Sequence, residues 1–380
     1  MKELKVEVKG IGFPNKGAEL MLAAIIQQFD QRGVAAQFSV EPYGDYKLRA
    51  SHGLFQKARV NKFGLNIGAL IGLLPKKFLK VFGIIRAKDI DVVLDASGFS
   101  YGDQWGPHLV NYRLGTTIKS LKKRGVKVVL LPQAFGPFEN IDTKKAAENI
   151  MSQSDLVFAR DPKSFEYCQS LVGGTQLELC PDFTNLVVGN VWNDFDTEMY
   201  ETCFIPNSKM LEKTDSGNDY INLMVHLVDF SHMQGKKPFL LIHEGKADRE
   251  LAKKIVERVS FVLDVIEPVD PLKIKWVIGQ SKVVVSSRFH GLVSALSQGI
   301  PVVATGWSHK YLCLLEDYNV ADALIDVKDG VTHGEAYLDK LLNDDGFYTI
   351  TVDEILVCSA KQKQKVRDMW NKTFATIGTE

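Results

Sequence analysis

The side chains best suited to chemistry lie in one stretch near the end of the chain, Val283 to Tyr311, which reads VVVSSRFHGLVSALSQGIPVVATGWSHKY. Its apolar runs predict two buried strands, at 282–286 and 301–305, with a helix between them that opens at SSRFHG. A helix start presents unpaired N–H groups and a partial positive charge. In open α/β sheets this position, just beyond the carboxyl end of a strand, is where ligands bind. The stretch therefore predicts a site for a small anionic ligand.

Three residues at this helix start carry the prediction. Ser287, with Ser286 before it, can cap the helix. Arg288 offers a planar fork that suits a carboxylate or phosphate, and His290 titrates near neutrality. The alternative is structural: the arginine and the histidine only cap the helix, pair with a carboxylate and stack on Phe289.

Two further cations follow the second strand. His309 and Lys310 lie in a predicted short loop with Trp307 and Ser308. Two successive strand ends would then both offer cations, which favours a ligand site over the structural alternative.

The turn after the first predicted strand reads GIGFPNKGAELM. It matches neither the P-loop pattern nor GxGxxG, but glycines before a helix let the backbone approach a ligand closely. We predict a contribution to the site from Asn15 and Lys16; the alternative is a plain strand-to-helix turn.

A second loop, ASGFSYGDQWG, follows the predicted strand DVVLD. Aromatic rings can pack on a sugar ring while neighbouring polar groups bond its hydroxyls. The loop therefore predicts a sugar-binding surface formed by Tyr101, Asp103, Gln104 and Trp105. Asp103 is also a candidate general base for a hydroxyl. The alternative is an acidic loop with structural glycines.

Another arginine, Arg160, ends the strand before FARDPKSFEY. It is either a second anion clamp or a partner of Asp161, and the sequence favours neither.

The bulk composition is that of a globular enzyme. The chain has 380 residues, 45% hydrophobic and 24% charged, with a formal net charge of zero, so nothing points to nucleic acid. Its five cysteines form no CxxC pair, so neither a zinc site nor a disulfide framework is indicated, and we expect no metal. The start of the chain reads as a charged strand, not a signal peptide, and no run of 18 apolar residues occurs, so we expect a cytoplasmic protein.

Residues 46–88 differ from the rest of the chain. They include ten lysines and arginines, no aspartate or glutamate, and apolar runs at 63–74 and 78–85. This composition predicts a peripheral contact with an anionic membrane. The alternative is a buried helix pair with snorkelling lysines.

Strands and helices alternate along the whole chain, and the strands are almost continuously apolar. This pattern predicts an α/β fold with parallel sheets covered on both faces, as two Rossmann-like domains facing a cleft. We place an N-terminal, acceptor-side domain at 1–195 and a C-terminal, donor-side domain at 196–380. The last predicted helix, 352–373, is a candidate to cross back to the first domain.

Taken together, these motifs resemble the polysaccharide pyruvyl transferase family. The resemblance runs from GIGFPNKGAELM through DASGFSYGDQWG, LLPQAFGPF, FARDPKSFEY and CPDFT to SSRFHGLVSALSQGIPVVATGWSHKY. It implies a GT-B-like fold and transfer of pyruvate from phosphoenolpyruvate, without nucleotide or metal, as a cyclic ketal on two hydroxyls of a sugar. The acceptor would be a surface glycan or its lipid-linked precursor, in exopolysaccharide biosynthesis.

The family pattern assigns donor contacts to Arg288, His290 and Arg160, and we add Ser287, His309 and Lys310 in support. In this interpretation His290 protonates the methylene carbon of phosphoenolpyruvate. The chain departs from many members at Ala96-Ser97-Gly98, where they carry GGG, and at PQAFGP, where they carry GQGIGP-like text. These departures concern the acceptor more than the donor.

Two other functions compete with this one. A GT-B nucleotide-sugar glycosyltransferase would have the same fold, but its ribose-binding carboxylate is missing from the helix text GLVSALSQG. A non-catalytic scaffold in a glycan synthesis complex would tolerate the loss of both Arg288 and His290.

Overall fold

The structure, a computed structural model, describes most of the chain: residues 3–13, 15–41, 46–58, 61–62, 65–66, 68–71, 74–213, 217–328 and 330–379. Part of the apolar run predicted at 63–74, and Arg59 in the basic segment, lie outside the described residues.

The chain forms two compact units. The first contains Met1–Phe183 and Lys365–Glu380, and the second contains Thr184–Gln364. The division comes earlier than the predicted 195/196 boundary because the residues after it bond within the second unit. The carbonyl of Thr184 accepts from Lys275 Nζ (3.3 Å), and Asn185 Oδ1 accepts from the Tyr318 hydroxyl (2.9 Å).

In the first unit, apolar strands form an eight-stranded, wholly parallel sheet in the order β10-β9-β8-β7-β1-β2-β3-β6, and β4 and β5 form a separate antiparallel pair. The strands are β1 (Leu4–Lys9), β2 (Ala36–Val40), β3 (Phe55–Lys57), β4 (Asn61–Lys62), β5 (Leu65–Asn66), β6 (Ile84–Ile85), β7 (Val92–Asp95), β8 (Lys127–Gln133), β9 (Leu156–Ala159) and β10 (Gln176–Leu179). The central strands β7, β8 and β9 are buried on both faces apart from Lys127, as a helix-covered parallel sheet requires.

The helices of this unit connect successive strands. They are α1 (Lys16–Gln31), α2 (Tyr46–Ser51), α3 (Gly68–Ile71), α4 (Lys76–Val81), α5 (Gly106–Val110), α6 (Ile118–Lys123), α7 (Ile141–Met151) and α8 (Pro162–Gln169). A π-helical stretch, Asn111–Gly115, separates α5 from α6.

The second unit repeats the architecture with a five-stranded parallel sheet in the order β13-β12-β11-β14-β15. The strands are β11 (Thr202–Ile205), β12 (Pro238–Leu241), β13 (Asp264–Ile266), β14 (Val283–Ser286) and β15 (Val302–Ala304). The helices are α9 (Lys209–Lys213), α10 (Gly217–Met233), α11 (Gly245–Val256), α12 (Pro271–Gly279), α13 (Phe289–Leu296), α14 (His309–Glu316), α15 (Gly330–Asn343) and α16 (Asp345–Ile377). The predicted helix at 352–373 is the middle of α16, whose last residues belong to the first unit.

No helix in the described part of the chain is long and apolar enough to cross a membrane.

Candidate anion-binding site at the carboxyl edge of the second sheet

The predicted site lies on two neighbouring strands of the second unit. Strands β14 and β15 run parallel, with Ser286 opposite Ala304, so the loops that follow them start side by side at one edge of the sheet. The loop after β14 leads into α13, and the loop after β15 leads into α14. The fold therefore places the two cation-bearing motifs next to each other.

Arg288 is the central residue of the site at this edge of the sheet. It occupies the N-cap position of α13 with an extended backbone. Its Nη1 donates to Glu244 and its Nη2 donates to Asp248, and its side chain is 11% exposed. The guanidinium is therefore held in one orientation before any ligand arrives.

The two carboxylates that hold Arg288 differ in their surroundings. Asp248 is fully buried and also accepts from the backbone N–H groups of Ser208 (3.0 Å) and Glu244 (3.1 Å). The side chain of Glu244 is 31% exposed, and it accepts only from Arg288 among the bonds the structure gives it. Asp248 is thus a fixed structural anion, whereas Glu244 is open to competition by a ligand.

Because of these two acids, Arg288 does not present a purely cationic group to a ligand. Two carboxylates outnumber the one guanidinium locally, which disfavours a further anion at Nη1 and Nη2. Within the described residues, however, the buried Arg288 Nε has no hydrogen-bond acceptor. Nε–H and the second N–H of each Nη are therefore the donors that Arg288 can offer to a ligand without breaking either of these bonds.

Ser287 has a structural role that the sequence did not reveal. Its hydroxyl bonds to Thr305 Oγ1 (2.6 Å) and to the Tyr220 hydroxyl (2.8 Å), and its carbonyl accepts from Asn207 (2.8 Å) and Tyr311 (3.1 Å). Burial raises the pKa of the Tyr220 phenol to about 12, so this hydroxyl stays protonated. Ser287 is completely buried, which corrects its prediction as a donor-binding hydroxyl.

The predicted serine cap of α13 is also corrected. Ser286 Oγ accepts from the backbone N–H of Arg288 (3.0 Å), which precedes the helix, and the N-cap residue is Arg288 itself, without a side-chain cap bond. No serine side chain in the described residues therefore caps the first turn of α13.

His290 and Lys310 meet at the same aromatic ring. The Phe289 ring packs edge-to-face with the His290 imidazole at a centroid distance of 5.6 Å. Lys310 Nζ lies 5.3 Å from the centre of that ring and 5.4 Å from those of Trp307 and Tyr311. Cation–π contacts of this kind fix an ammonium group without neutralising it.

His309 has a different environment. The predicted loop ends at Ser308, and His309 is the first residue of α14, with its side chain exposed. In the part of the chain that the structure describes, no hydrogen bond or ring contact joins it to Arg288 or His290, so its supporting role stays a prediction.

Arg160 and Asp161 belong to the first unit, and the described contacts do not pair them with each other, while a role of Arg160 as an anion clamp stays a prediction. Arg160 is buried and its Nη1 pairs with Asp182 Oδ2 at 3.3 Å. Asp161 instead caps α8, accepting from the backbone N–H (2.8 Å) and hydroxyl (2.7 Å) of Ser164. Asp161 is therefore committed to the N-cap of α8, a position that Asp strongly prefers.

The glycine-rich turn after β1 serves the fold. Asn15 caps α1 by accepting from Ala18 N (3.0 Å), and Lys16 pairs with the buried Glu19 (2.7 Å). Gly10 has a positive φ of 82°, and a Cβ there would lie 2.2 Å from Ser97 Cα. The close approach that glycine allows is thus to the neighbouring loop, and acceptor contacts by Asn15 and Lys16 stay predictions.

The loop after β7 divides into a buried and an exposed part. Tyr101 is fully buried, and its hydroxyl donates to Asp95; burial and the Asp95 carboxylate raise the pKa of Tyr101 well above its ordinary value. This corrects the expectation that its ring faces a sugar. Gln104 and Trp105 are exposed, Trp105 by 47%, and remain available to an acceptor.

Asp103 lies between these parts and ties two loops together. Its Oδ2 accepts from the backbone N–H groups of Glu139 (2.6 Å) and Asn140 (3.2 Å). Its Oδ1 is buried and has no hydrogen-bond donor among the described residues. One oxygen is therefore structural, and the other is the one that could take a proton.

Sequence reasoning missed Gln133, the last residue of β8. Its side chain is fully buried, and neither its Oε1 nor its Nε2 has a hydrogen-bond partner in the described part of the chain. Its carbonyl accepts from Arg160 N (3.0 Å), and the next residue, Ala134, donates to Gly98 O (2.9 Å). The signal was available, because a glutamine that ends an otherwise apolar strand stands at the ligand edge of a parallel sheet.

Burial disfavours three of the cysteines as nucleophiles. Burial raises the pKa of the Cys168, Cys180 and Cys203 thiols, which disfavours the nucleophilic thiolate. Among the described residues no group of three His, Cys, Asp or Glu side chains could hold a metal ion.

Comparison with known proteins gives the family and the fold. The family model described as polysaccharide pyruvyl transferase matches residues 15–309. In a search of curated proteins no sequence matched the chain.

Several solved structures match over nearly the whole chain. One is Anabaena Alr3699/HepE in complex with UDP and glucose, with 12% identity, a TM-score of 0.57, and coverage of 99% of this chain and 100% of that one. A second is UDP-GlcNAc 2-epimerase from Neisseria meningitidis bound to UDP-GlcNAc, with 12% identity, a TM-score of 0.56, and coverage of 97% and 100%. A third is a glycosyltransferase from Rickettsia africae, with 10% identity, a TM-score of 0.56, and 100% coverage of both chains. At such identities the likeness concerns the fold alone, and it confirms the predicted α/β, GT-B-like class.

Proposed function

Because this chain belongs to the polysaccharide pyruvyl transferase family, we propose that it transfers pyruvate from phosphoenolpyruvate to two hydroxyls of one sugar, forming a cyclic ketal. The observation that carries the proposal is the arrangement at the start of α13. There a fixed Arg288 stands two residues from His290, and His290 shares the Phe289 ring with Lys310. An anion-binding group and a proton donor side by side are what this reaction needs.

The donor carries a carboxylate and a phosphate, so its recognition depends on cations and N–H groups. Arg288 and the positive end of the α13 dipole attract anions, and Lys310 supplies a positive charge at the start of α14. Glu244 is the competing anion, and its partial exposure allows it to yield Nη1 to the ligand. We assign Arg160 of the first unit to the second anionic group of the donor, on the family resemblance alone.

The chemistry proceeds through a cation at C2 of the donor. Protonated His290 delivers a proton to the methylene carbon, which becomes the methyl group, and C2 becomes electron-deficient. One sugar hydroxyl attacks C2 and loses its proton; the second then displaces phosphate and loses its own. The products are a ketal and inorganic phosphate, and no oxidation or reduction occurs.

The acceptor is a sugar of a glycan or of its lipid-linked precursor. We assign its binding to the first unit, where Gln104 and Trp105 are exposed and Asp103 Oδ1 lacks a donor among the described residues. Asp103 is the candidate base for the attacking hydroxyl. The donor is a metabolite of the cytoplasm, so we place the reaction there.

A nucleotide-sugar glycosyltransferase is the competing function. The solved structures with UDP ligands support it only through the shared fold. Helix α13, FHGLVSAL, carries no carboxylate that would bind a ribose. The acids that approach the site, Glu244 and Asp248, come from the α11 region and bind Arg288 instead.

The proposal is tested by incubating the protein with phosphoenolpyruvate and a panel of glycosides, and by measuring phosphate release together with the mass of the acceptor. We expect acceptor-dependent release, with one pyruvyl ketal formed for each phosphate. Release of UDP from a UDP-sugar, with glycosyl transfer to the panel and no pyruvyl ketal formed from phosphoenolpyruvate, would replace this function by the competing one.

His290→Ala is the matching variant. General acid catalysis contributes about 10²–10⁴-fold, so we expect kcat to fall by at least about a hundredfold while the fold is retained. His232→Ala is the control, because His232 is an exposed histidine of the same unit that stacks on Phe261. Turnover by a folded His290→Ala protein at the rate of the control would exclude His290 as the acid.

A further inference from the structure

One surface of the first unit exposes apolar and basic side chains together. It comprises residues 74–82, which contain helix α4, and we name it the α4 surface. Every residue in it is exposed except Leu79, which is buried and anchors the helix. The exposed fractions of Val81, Phe78 and Phe82 are 81%, 52% and 52%. Two large aromatic side chains and a valine exposed together to water mark a surface that binds a partner.

The apolar side chains alternate with cations. Lys76, Lys77 and Lys80 are exposed within the same nine residues, and no acid occurs from 46 to 88. The next acid, Asp89, is paired with Arg86 (2.6 Å) and with Lys76 (3.2 Å). The α4 surface is therefore net positive, with a neutralised carboxylate at its border.

The structure also shows which basic residues of this segment are not available to a partner. Arg49 is buried against Gln56, and Lys57 is buried against Glu7. Arg49 and Lys57 thus drop out of the predicted membrane-facing segment 46–88, whereas Lys47 and Lys88 are exposed outside the α4 surface.

A small cavity lies at the foot of α4. It has a volume of about 80 Å³, and its lining includes Lys5, Lys76, Lys80 and Arg86 together with Asp89. Four cations against one carboxylate favour a compact anion such as a phosphate group. The cavity adjoins the exposed lysines, so an anionic headgroup and its acyl chains would meet cations and aromatic rings at one place.

We propose that the α4 surface docks this protein on an anionic phospholipid bilayer, with Phe78, Val81 and Phe82 in the interface and Lys76, Lys77 and Lys80 on the headgroups. Aromatic and aliphatic side chains flanked by lysines suit this boundary, where apolar contact and charge attraction add. A second copy of the chain fits less well, because a symmetric contact would set these lysines against their own counterparts. The inference does not depend on the donor chemistry.

Sedimentation with vesicles tests the proposal on the full-length chain. The vesicles contain either phosphatidylcholine alone or phosphatidylcholine with about one third phosphatidylglycerol. We expect binding to the anionic vesicles that weakens with salt, and little binding to the neutral ones. Replacing three surface lysines costs about a hundredfold in affinity, so Lys76→Gln/Lys77→Gln/Lys80→Gln should abolish measurable binding. Phe78→Ser/Phe82→Ser should lower the affinity about tenfold or more.

Two control variants test whether vesicle binding depends on the α4 surface itself or only on the overall charge and exposed apolar area of the protein. Lys119→Gln/Lys123→Gln/Lys144→Gln removes the same charge from exposed lysines elsewhere in the first unit. Met233→Ser/Val262→Ser removes exposed apolar side chains from the second unit, where they are 71% and 93% exposed. Both controls should bind like the unaltered protein, and circular dichroism checks that every variant folds.

Three results would overturn the proposal. The first is equal binding to neutral and anionic vesicles, and the second is binding by the α4 variants that matches the controls. The third is the absence of vesicle binding. If the protein then self-associates and the α4 variants abolish this association, the surface is assigned to a second copy.

Discussion

At the scale of single residues, Arg288 decides what the site can do. Its two Nη groups are held by Glu244 and Asp248, while its Nε has no acceptor within the described residues. A guanidinium so fixed is oriented for a ligand but partly neutralised. The donor can therefore bind at the N–H groups that these two bonds leave over, and it competes at Nη1 with the more exposed carboxylate, Glu244.

This arrangement predicts opposite effects for the two acids. Glu244→Gln removes a negative charge that competes with the donor, so we expect the KM for phosphoenolpyruvate to fall about three- to tenfold. Asp248→Asn weakens the fixed, buried partner of Arg288, so we expect a higher KM and a loss of about 3 kcal/mol in the free energy of unfolding. Steady-state kinetics and urea unfolding measure both effects. A rise in KM for Glu244→Gln as large as that for Asp248→Asn would show that both acids only position Arg288.

A second residue-scale prediction concerns Gln133. A buried carboxamide without hydrogen bonds costs about 1–3 kcal/mol, and methionine has nearly the same length and volume. If Gln133 is kept for a ligand, Gln133→Met should raise the melting temperature while turnover with the acceptor falls. A lower melting temperature would show that the carboxamide is satisfied in solution. Higher stability with unchanged turnover would show that Gln133 is not kept for a ligand.

The sequence predicted these residues unevenly. The SSRFHG motif was recognisable because a strand, a helix start and the cations are adjacent in the chain. Glu244 and Asp248 were not assigned, because their contact with Arg288 depends on the order β12-β11-β14, which sets residues from distant parts of the sequence at one edge. Tyr101 was misassigned for a similar reason: its burial depends on the bridge that it forms with Phe135.

At the scale of elements, capping explains several polar residues that resemble ligand contacts. Asn15, Asn140 and Asp161 each accept backbone N–H groups at the first turn of α1, α7 and α8. The polar side chains at these strand-to-helix turns are thus already committed. The buried strands were predicted to within a residue or two because their apolar runs are unbroken. The π-helical break after α5 and the start of α14 at His309 were not, since both depend on local backbone geometry that no residue pattern marks.

Variants of Asn15 test whether its side chain caps α1 or contacts the acceptor. Loss of an N-cap side chain costs about 1 kcal/mol, so Asn15→Ala should lower the free energy of unfolding by that amount, while Asn15→Asp, which preserves the cap, should not. Asn140→Ala, at the cap of α7, should give a loss of similar size. Equilibrium unfolding in urea measures all three. Unchanged stability in Asn15→Ala together with a higher KM for the acceptor would instead support the sequence prediction of an acceptor contact.

At the scale of the whole molecule, the first sheet buries charge at its centre. Glu7 and Lys9 on β1 are 0% and 1% exposed. Lys9 pairs with Glu7 (3.1 Å) and Glu41 (2.9 Å), and Lys57 pairs with Glu7 (2.7 Å). Charges alternating with apolar residues in β1 would suit a strand with one face in water. The central position of β1 in an eight-stranded sheet explains why these charges are paired inside instead.

This cluster makes the stability depend on acid. Burial alone would raise the pKa of Glu7, but the attraction of Lys9 and Lys57 outweighs it and lowers the pKa from 4.5 to about 2. A lowered pKa stabilises the folded state fully above pH 4.5, and this contribution is lost as the pH falls towards 2. We expect Glu7→Gln to lose on the order of 3 kcal/mol at neutral pH and to lose less further stability on acidification than the unaltered protein.

Urea unfolding across this pH range measures the effect, with the exposed Glu3→Gln as control. If Glu7→Gln kept the stability and the acid dependence of that control, the buried cluster would not contribute as described.

The central claim of this account is that Arg288 holds a phosphoenolpyruvate site, and thermal stabilisation of the purified chain tests it most directly. Phosphoenolpyruvate, UDP-GlcNAc and a GDP-sugar are compared on the unaltered protein, on Arg288→Ala and on Arg249→Ala. Arg249 is the matched control, because it is an exposed arginine of the same unit that pairs with Glu267. We predict stabilisation by phosphoenolpyruvate alone, about 2.7 kcal/mol at a hundred times Kd, which is lost in Arg288→Ala and kept in Arg249→Ala. Stabilisation by a nucleotide sugar alone, or by phosphoenolpyruvate equally in all three proteins, would contradict it.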